Sequence, residues 1–366
     1  MKIGCYISSH GFGHATRIFA VLNELLKHDI EIVIRANLPD WLINNSFKTN
    51  KVKYIPNFET IRIFHHPEKL TLNKSESIAF IQKYYSRYNK ILENEIKFIK
   101  KSNCDLIISD IEPLAFKIAD ECGIHSIGIS NFTWYDIYSE FMEKNDPILD
   151  RMKTDYTKAT LLFRLPFHFK MDYFSEKIDV PLVFRKLTRT KNQIYKLLNI
   201  NPDKNIVFIQ FGGHQSNFIE NWYEKINELC LNRQDIVFLT NRFLKLKENM
   251  NLPGLFKEIP KYDVETQDYI ACSIVVGKTG YSTVSETIGY KSVFLYTTRE
   301  KFKEDFFLKK GVENYGIGRY YDRNQFYNGI WVDDLINIEK LLELKPKKEI
   351  KKYGQKFITN YIIENF

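Results

Sequence analysis

Short apolar runs alternate along the chain with longer segments in which apolar residues recur every three or four positions. Residues 2–8 form a continuous apolar run typical of a buried strand, and residues 17–28 carry apolar side chains at helical spacing. Further strands are predicted in IEIVIRAN, CDLIISD and HSIGISN, with helices predicted from about Lys74 to Lys100 and in PLAFKIADECG. This rhythm indicates a parallel sheet with crossover helices.

The rhythm starts again in the second half of the chain. NIVFIQFGG is a strand that runs into glycines, and DIVFLTN, CSIVVGKTG and SVFLYTT repeat the pattern with helical segments between them. Residues 164–186 are aromatic and proline-bearing without clear periodicity, which we interpret as the interdomain connection. Residues 347–366 predict an amphipathic helix.

The predicted fold class is therefore α/β, with two facing Rossmann-like domains and a cleft between them. The predicted units are an acceptor domain over 1–180, a donor domain over 181–345, and a C-terminal helix over 346–366 that packs back towards the first. A length of 366 residues agrees with two hydrophobic cores. Ligands of open parallel sheets bind beyond the carboxyl ends of the strands, so both glycine loops should face the shared cleft.

Composition narrows the class of protein and its location. The chain is 44% hydrophobic and 27% charged, and its net charge of +8 favours anionic partners such as nucleotide phosphates. The five scattered cysteines include no Cys-x-x-Cys, which indicates reduced thiols in the cytosol rather than disulfides or a zinc ribbon. We see no signal peptide and no apolar run of about 20 residues. The expectation is a soluble cytoplasmic protein, at most peripheral to a membrane.

The N-terminal loop HGFGHATR carries the first candidate chemistry. Gly11 and Gly13 let the backbone approach a ligand, and the helix that follows offers N–H groups to an anion. The loop matches neither a dinucleotide fingerprint nor a Walker A motif. His10 and His14 lack further ligands for a metal, so no metal site is predicted. His14 is placed to act as a base in the cleft, against the alternative of a tight turn whose histidines bond to backbone.

Asp110 ends a buried strand at the edge of the same cleft. Its carboxylate can orient His14 or accept a substrate hydroxyl. The alternative is an N-cap for the helix that begins near Pro113, a role that aspartate fills well. The residues alone leave these two interpretations open.

The second half carries candidates for binding a nucleotide-sugar. FGGHQSN follows a strand and can bracket a diphosphate with backbone amides, and GKTGYSTVSE places a strand end before a helix start that forms a second anion site. Glu286, on the first turn of that helix, is placed to take two ribose hydroxyls, and the pair Glu304 and Asp305 can bind sugar hydroxyls. Each residue also has a plain alternative as a cap, a solvated acid or a surface lysine. The candidates are Gly212, Gly213, His214, Arg242, Lys278, Gly280, Tyr281, Ser282, Thr283, Glu286, Glu304 and Asp305.

Taken together, these stretches resemble the GT-B glycosyltransferase superfamily. More closely, SSHGFGHATR, ISNFTWYDIYSEF, LLFRLPF, IDVPLVFRK, FGGHQ, GKTGYSTVSE and FKEDFFL are similar to the glycosyltransferase-like N-terminal domain of L-arabinokinases and their free-standing bacterial and archaeal relatives. The similarity spans Lys2 to about Leu308, and the kinase half of an arabinokinase is absent from these residues.

The resemblance implies roles for several residues. TVSE resembles the segment with which the lipid II-forming N-acetylglucosaminyltransferase binds its UDP-sugar, so Glu286 would bind ribose while Ser282 and Thr283 hold the diphosphate. Glu304 and Asp305 would read the donor sugar. GFGHATR also resembles the loop of a UDP-sugar hydrolase from pseudaminic acid synthesis, which assigns water activation to His14, with Arg17 beside it. SHGFGHATR departs from the Gly-Gly-Thr-Gly-Gly-His loop of the lipid II enzyme, so a lipid acceptor does not carry over.

The leading hypothesis is a metal-independent, inverting hexosyl- or pentosyltransferase that moves a sugar from a UDP-sugar to an acceptor hydroxyl, with no other cofactor. The acceptor is a small molecule, a lipid-linked sugar or a nucleic acid. One alternative is a nucleotide-sugar hydrolase of the same fold. Another is a phage-type DNA-modifying glycosyltransferase, which the +8 charge and the aromatic NFTWYDIYSEF would suit.

Overall fold

A computed structural model of the protein describes residues 1–66, 71–212, 222–242, 244 and 256–366. Strands and helices alternate along both halves, as the apolar pattern predicts. Those of the first half are β1 (Lys2–Ile7), α1 (Phe12–Leu25), β2 (Glu31–Arg35), α2 (Asp40–Ser46), β3 (Val52–Ile55), β4 (Phe64–His66), β5 (Thr71–Asn73), α3 (Lys74–Ser86), α4 (Tyr88–Ser102), β6 (Leu106–Asp110), α5 (Pro113–Cys122), β7 (His125–Ser130), α6 (Trp134–Tyr138), α7 (Pro147–Tyr156), β8 (Leu161–Arg164) and β9 (Lys177–Asp179).

The second half repeats the alternation with its own set of elements. They are α8 (Lys191–Leu197), β10 (Asn205–Gln210), α9 (Tyr223–Asn232), β11 (Ile236–Thr240), β12 (Phe256–Glu258), α10 (Thr266–Ala271), β13 (Ser273–Lys278), α11 (Tyr281–Tyr290), β14 (Phe294–Thr297), α12 (Glu304–Tyr315), β15 (Gly318–Tyr320), α13 (Arg323–Tyr327), α14 (Ile330–Asp334), a 3-10 turn (Leu335–Asn337), α15 (Ile338–Leu342) and α16 (Gly354–Asn365).

The strands form two parallel sheets of Rossmann type, which confirms the predicted fold class. The first sheet has the order β3-β2-β1-β6-β7-β8-β9 and the second β12-β11-β10-β13-β14-β15, while β4 and β5 form a separate antiparallel hairpin. In each sheet the strand order reverses beside the first strand, at β1/β6 and at β10/β13. Such switch points leave a crevice at the carboxyl ends of the strands.

Three boundaries differ from the sequence prediction. The long helix predicted from about Lys74 to Lys100 is two helices, because Arg87 has ψ of 1° and leaves the helical conformation between α3 and α4. The stretch 164–186 is more than a connection, since it contains β9, which is only three residues long and too short to show a periodicity. The last helix begins at Gly354, later than the pattern suggested.

The C-terminal helix α16 returns from the second sheet to pack beside α1. Its approach is held by backbone hydrogen bonds, from Leu182 N to the Lys351 carbonyl at 2.8 Å and from Gly354 N to the Leu182 carbonyl at 2.9 Å. The Tyr361 ring lies 5.3 Å from that of Phe163 in β8. No helix within the described ranges has the length and apolarity needed to cross a bilayer.

Two neighbouring isoleucines of α16 test this packing. Ile362 is fully buried, whereas Ile363 is 42% exposed. Because truncating a buried side chain leaves a cavity, Ile362→Ala should lower the free energy of unfolding by about 3 kcal/mol. Ile363→Ala removes the same atoms from the surface and should change it by less than about 0.5 kcal/mol. Urea denaturation of both variants measures the difference, and equal losses would contradict the packing of α16.

Candidate functional site

The cleft lies where the N-termini of α1 in the first half and α11 in the second half meet. The N-terminus of α1 follows β1, and the N-terminus of α11 follows β13. The Ser282 hydroxyl donates to the Gly13 carbonyl at 2.8 Å and lies 2.9 Å from the Thr16 hydroxyl. Ser282, predicted to hold a diphosphate, therefore also joins the two halves at the centre of the cleft.

Both helix N-termini are left without side-chain caps. Gly11 and Gly280 are the N-caps of α1 and α11, neither makes a side-chain capping hydrogen bond, and neither first turn carries an acid. Gly11 has φ of 80°, a conformation that favours glycine. The N–H groups of both first turns and the positive ends of both helix dipoles are thus available to an anion in the cleft.

His14, Asp110 and Arg17 form a buried group on the first wall of the cleft. The Asp110 carboxylate lies 2.8 Å from His14 Nδ1 and accepts from Arg17 Nε at 2.9 Å. Since a carboxylate only accepts, the contact assigns the proton to Nδ1 and leaves Nε2 of His14 as the free base. His14 keeps 8% of its surface exposed, while Asp110 is fully buried. His14 and Arg17 both line the cleft.

The structure chooses between the two interpretations of Asp110. The N-cap of α5 is Glu112, so the capping alternative is wrong. Ile111 has φ of 56°, which turns the chain sharply after β6 and separates the Asp110 side chain from the helix start. Full burial and the bonds to His14 and Arg17 make Asp110 an orienting group for the histidine rather than a contact for a substrate hydroxyl.

The outer part of the cleft encloses about 730 Å³, counted with the open space at its mouth, and includes Glu286. Glu286 is the sixth residue of α11 and therefore lies on its second turn. The sequence prediction, which placed it on the first turn, was wrong. Its Oε1 accepts from Arg185 Nε at 2.7 Å. Burial raises the pKa of the Glu286 carboxyl, and Arg185 opposes that shift.

Arg185 is a residue that the sequence analysis missed. It lies in IDVPLVFRK, one of the stretches that carry the resemblance, but the sequence assigned it no role, and only the fold brings it to α11. Its guanidinium also donates to the Val264 carbonyl at 2.5 Å and to the Thr266 hydroxyl at 2.7 Å. Arg185 thereby fixes Glu286 and one wall of the outer cleft.

Aromatic side chains from both halves flank the outer cleft. The Arg242 guanidinium lies 4.3 Å from the Trp41 ring centroid and 5.1 Å from that of Tyr262. Trp41 belongs to α2 of the first half, so this stack spans the cleft. The residues that line the outer cleft include Phe12, Trp41, Leu42, Arg185, Gln210, Gly212, Asn241, Arg242, Pro260, Asp263, Val264, Thr266, Ser282, Thr283 and Glu286.

The inner part of the cleft encloses about 670 Å³, counted with the open space at its mouth, and includes His14, Lys278 and Glu304. Burial and the neighbouring cation of Arg299 lower the pKa of Lys278 to about 8. The Lys278 ammonium makes no hydrogen bond or ion pair with any residue that the structure describes. The lining includes His10, Gly11, Gly13, His14, Arg17, Gly212, Lys278, Gly280, Tyr281, Ser282, Thr283, Arg299 and Glu304.

The adjacent acids Glu304 and Asp305 have different positions. Glu304 lines the inner cleft, accepts from Asn131 Nδ2 at 3.1 Å and from Arg299 Nη2 at 3.0 Å. Asp305 accepts from Arg299 Nε at 3.1 Å and lines an outer groove instead. The structure thus brings only Glu304 of the predicted pair to the cleft.

The remaining predicted residues are His10, Gly213 and His214. The His10 ring lies 5.8 Å from that of His65 and 5.5 Å from that of Trp134. Gly213 and His214 lie outside the described residues. Within the described ranges, no group of three or more His, Cys, Asp or Glu side chains is arranged to hold a metal ion.

Comparison with solved structures identifies the fold. The glycotransferase of kitacinnamycin shares 14% identity and a TM-score of 0.64, over 93% of this chain and 92% of that one. The UDP-GlcNAc 2-epimerase of Neisseria meningitidis, bound to UDP-GlcNAc, shares 14% identity and a TM-score of 0.62, over 100% of both chains. The calicheamicin glycosyltransferase CalG4 shares 14% identity and a TM-score of 0.61, over 99% of this chain and 94% of that one.

A curated relative confirms the resemblance seen in the motifs. L-arabinokinase of Arabidopsis thaliana is 31% identical over 349 residues, which are 93% of this chain and 32% of the relative. The chain therefore spans about a third of the length of that protein. The chain matches no protein-family model. It has the GT-B fold and is related to L-arabinokinase over this part of its length.

Glu112 is a buried acid beneath the first wall of the cleft. Its carboxylate accepts from Ile61 N at 3.2 Å and from Trp134 Nε1 at 3.4 Å. Burial raises the pKa of Glu112 to about 8, and the negative charge of Asp110 adds to the shift.

This shift predicts how stability depends on pH. The protonated Glu112 carboxyl is favoured in the folded state, because its pKa is higher there than in the unfolded chain. The free energy of unfolding therefore falls as pH rises from the ordinary carboxyl range towards 8. Glu112→Gln keeps the shape without the charge, so the variant should lose less stability than the wild type between about pH 5 and pH 8.5. Urea denaturation at both pH values measures this, with the exposed Glu143→Gln as control. Parallel pH profiles for wild type and Glu112→Gln would contradict it.

Proposed function

We propose that the protein is a nucleotide-sugar-dependent glycosyltransferase that moves a sugar from a UDP-sugar to an acceptor hydroxyl. The observation that carries the proposal is the pair of uncapped helix N-termini facing each other across the cleft, with the His14–Asp110 pair beside them. The helix N-termini can bind a diphosphate, and His14 beside them can act as a base. The relation to L-arabinokinase and the glycosyltransferases among the similar structures support this choice.

The donor would lie along α11. The nucleoside would occupy the outer cleft, where Oε1 of Glu286 is held by Arg185 and the other carboxylate oxygen can accept ribose hydroxyls. The diphosphate would sit on the N–H groups of Ser282 and Thr283, near the Lys278 ammonium. Glu304 would then meet the sugar, since it is the acid of its pair that lines the inner cleft.

The proposed reaction is a displacement with inversion. Nε2 of His14 takes the proton of the acceptor hydroxyl as the oxygen attacks the anomeric carbon. The bond from that carbon to the diphosphate oxygen breaks, and its electron pair leaves with the diphosphate. Asp110 stabilises the imidazolium through Nδ1. Helix N–H groups, Lys278 and Arg299 supply the positive charge that the leaving diphosphate needs, so the proposed mechanism uses no metal.

The class of reaction can be tested by its products. A thermal-shift panel of nucleotides and nucleotide-sugars identifies the donor, because a ligand of the folded state raises its stability. The donor is then incubated alone and with sugars, lipid-linked sugars or duplex DNA. Acceptor-dependent release of UDP supports the transferase. Equally fast release without acceptor would instead show a hydrolase, and conversion to an isomeric UDP-sugar would show an epimerase.

Two substitutions separate binding from chemistry. Glu286→Gln removes a charged acceptor from the outer cleft and should weaken UDP binding by about tenfold. His14→Ala removes the base and should lower turnover by at least about a hundredfold, with UDP affinity nearly unchanged. Calorimetry with UDP and initial rates with the identified donor provide the two measurements. Undiminished UDP affinity in Glu286→Gln would refute the placement of the nucleoside.

The lowered pKa of Lys278 predicts a pH dependence of binding. Lys278 carries its charge below about pH 8 and loses it above, so affinity for the anionic diphosphate should fall as pH rises through 8. We expect a loss of about tenfold in UDP affinity between about pH 7 and pH 9.5. Lys278→Gln should bind UDP weakly and with a flat profile over this range. A wild-type profile retained in the variant would rule out Lys278 as the titrating group.

A further inference from the structure

Asn131 links the first wall of the cleft to the second half of the molecule. It follows β7 and is fully buried. Its Oδ1 accepts from Arg17 Nη1 at 2.7 Å, and its Nδ2 donates to Glu304 Oε1 at 3.1 Å. Arg17 only donates and the Glu304 carboxylate only accepts when ionised, so one orientation of the amide satisfies both partners. Asn131 belongs to ISNFTWYDIYSEF, one of the stretches that carry the resemblance, but the sequence assigned it no role.

The contacts of Arg17 bear directly on His14. Arg17 Nη2 donates to Asp110 Oδ1 and to the Ser130 hydroxyl, the latter at 3.1 Å. The same nitrogen lies 3.0 Å from His14 Nδ1. If Arg17 donated to Nδ1, that nitrogen would have to be the acceptor, and the ring proton would move to Nε2. The ring would then present an N–H to the cleft instead of a free lone pair.

We propose that Asn131 is a positioning residue that keeps His14 in the tautomer a base requires. By accepting from Nη1, Asn131 holds the guanidinium plane so that both hydrogens of Nη2 are directed to Asp110 and Ser130. His14 Nδ1 then donates to Asp110 Oδ2. The role of this tautomer in catalysis rests on the proposed function, whereas the tautomer itself can be measured without any substrate.

The hydrogen bond from Asn131 Nδ2 to Glu304 also fixes the orientation of the asparagine amide. Glu304 belongs to α12 of the second half and is the acid proposed to meet the donor sugar. The hydrogen bonds therefore run without interruption from Glu304 through Asn131, Arg17 and Asp110 to His14. The Asn131 amide thus connects a residue of the second half, Glu304, to the hydrogen bonds that orient His14.

The test is nitrogen-15 NMR of the histidine ring in ligand-free protein, with the His14 signals assigned by their loss in His14→Gln. In the wild type we expect the Nδ1–H tautomer. In Asn131→Ala the freed guanidinium can donate to Nδ1, so the Nε2–H form should become at least as populated. Asn131→Asp combined with Glu304→Gln restores an acceptor for Arg17 and a donor–acceptor contact between positions 131 and 304, and should return the wild-type tautomer. If Asn131→Ala does not fold, Asn131→Ser, too short to reach both partners, replaces it.

Lys303→Gln is the matched control, because it removes another contact between the halves, the ion pair with Glu140, away from the cleft. It should leave the His14 tautomer unchanged. With the identified donor, Asn131→Ala should lower kcat by at least about tenfold while KM changes by less than about twofold. An unchanged tautomer in folded Asn131→Ala would overturn the proposal. Failure of every nucleotide-sugar to bind the wild type would refute the proposed function and leave the tautomer result standing.

Discussion

The ion pair between Arg17 and Asp110 is the interaction on which the site depends. Both side chains are almost fully buried, at 1% and 0% exposed, so either charge without the other would cost several kcal/mol. Arg17 belongs to α1 and Asp110 ends β6, so the pair fixes the first helix against the middle of the first sheet. His14 lies one turn before Arg17 on the same helix, and the same carboxylate orients its ring. The Asp110 carboxylate therefore both holds α1 against the sheet and orients the His14 ring.

The two halves of the molecule contribute in the same way to one cleft. In each sheet the strand order reverses at the strands that carry the site, β1/β6 and β10/β13. The loops after β1 and β13 leave the sheets at their carboxyl edges, and α1 and α11, which follow these loops, direct their N-termini into the cleft. A ligand that carries negative charge near its centre and polar groups at both ends matches this arrangement. A nucleotide-sugar has that distribution.

The fold alone does not select a reaction. Structures of similar overall shape include glycosyltransferases and an epimerase that holds UDP-GlcNAc, at identities of 14%. The proposal of a transferase rests on side chains instead. These are His14, with a free Nε2 beside the buried Asp110, and Glu286, which Arg185 holds on the opposite wall. The missed Arg185 and Asn131 belong to this second group of determinants. Each contacts a predicted residue, Glu286 in the case of Arg185 and Arg17 in the case of Asn131.

The sequence by itself determined the two α/β halves, the glycine loops and most of the residues that line the inner part of the cleft. It could do so because apolar periodicity and glycine spacing are local properties of the chain. Only the tertiary structure decided that Asp110 contacts His14, that Glu304 lines the inner cleft while Asp305 lines a neighbouring groove, and that Asn131 joins the halves. These contacts link residues up to 173 positions apart. Hydrogen bonds at such separations depend on how the sheets and helices pack, which no local pattern encodes.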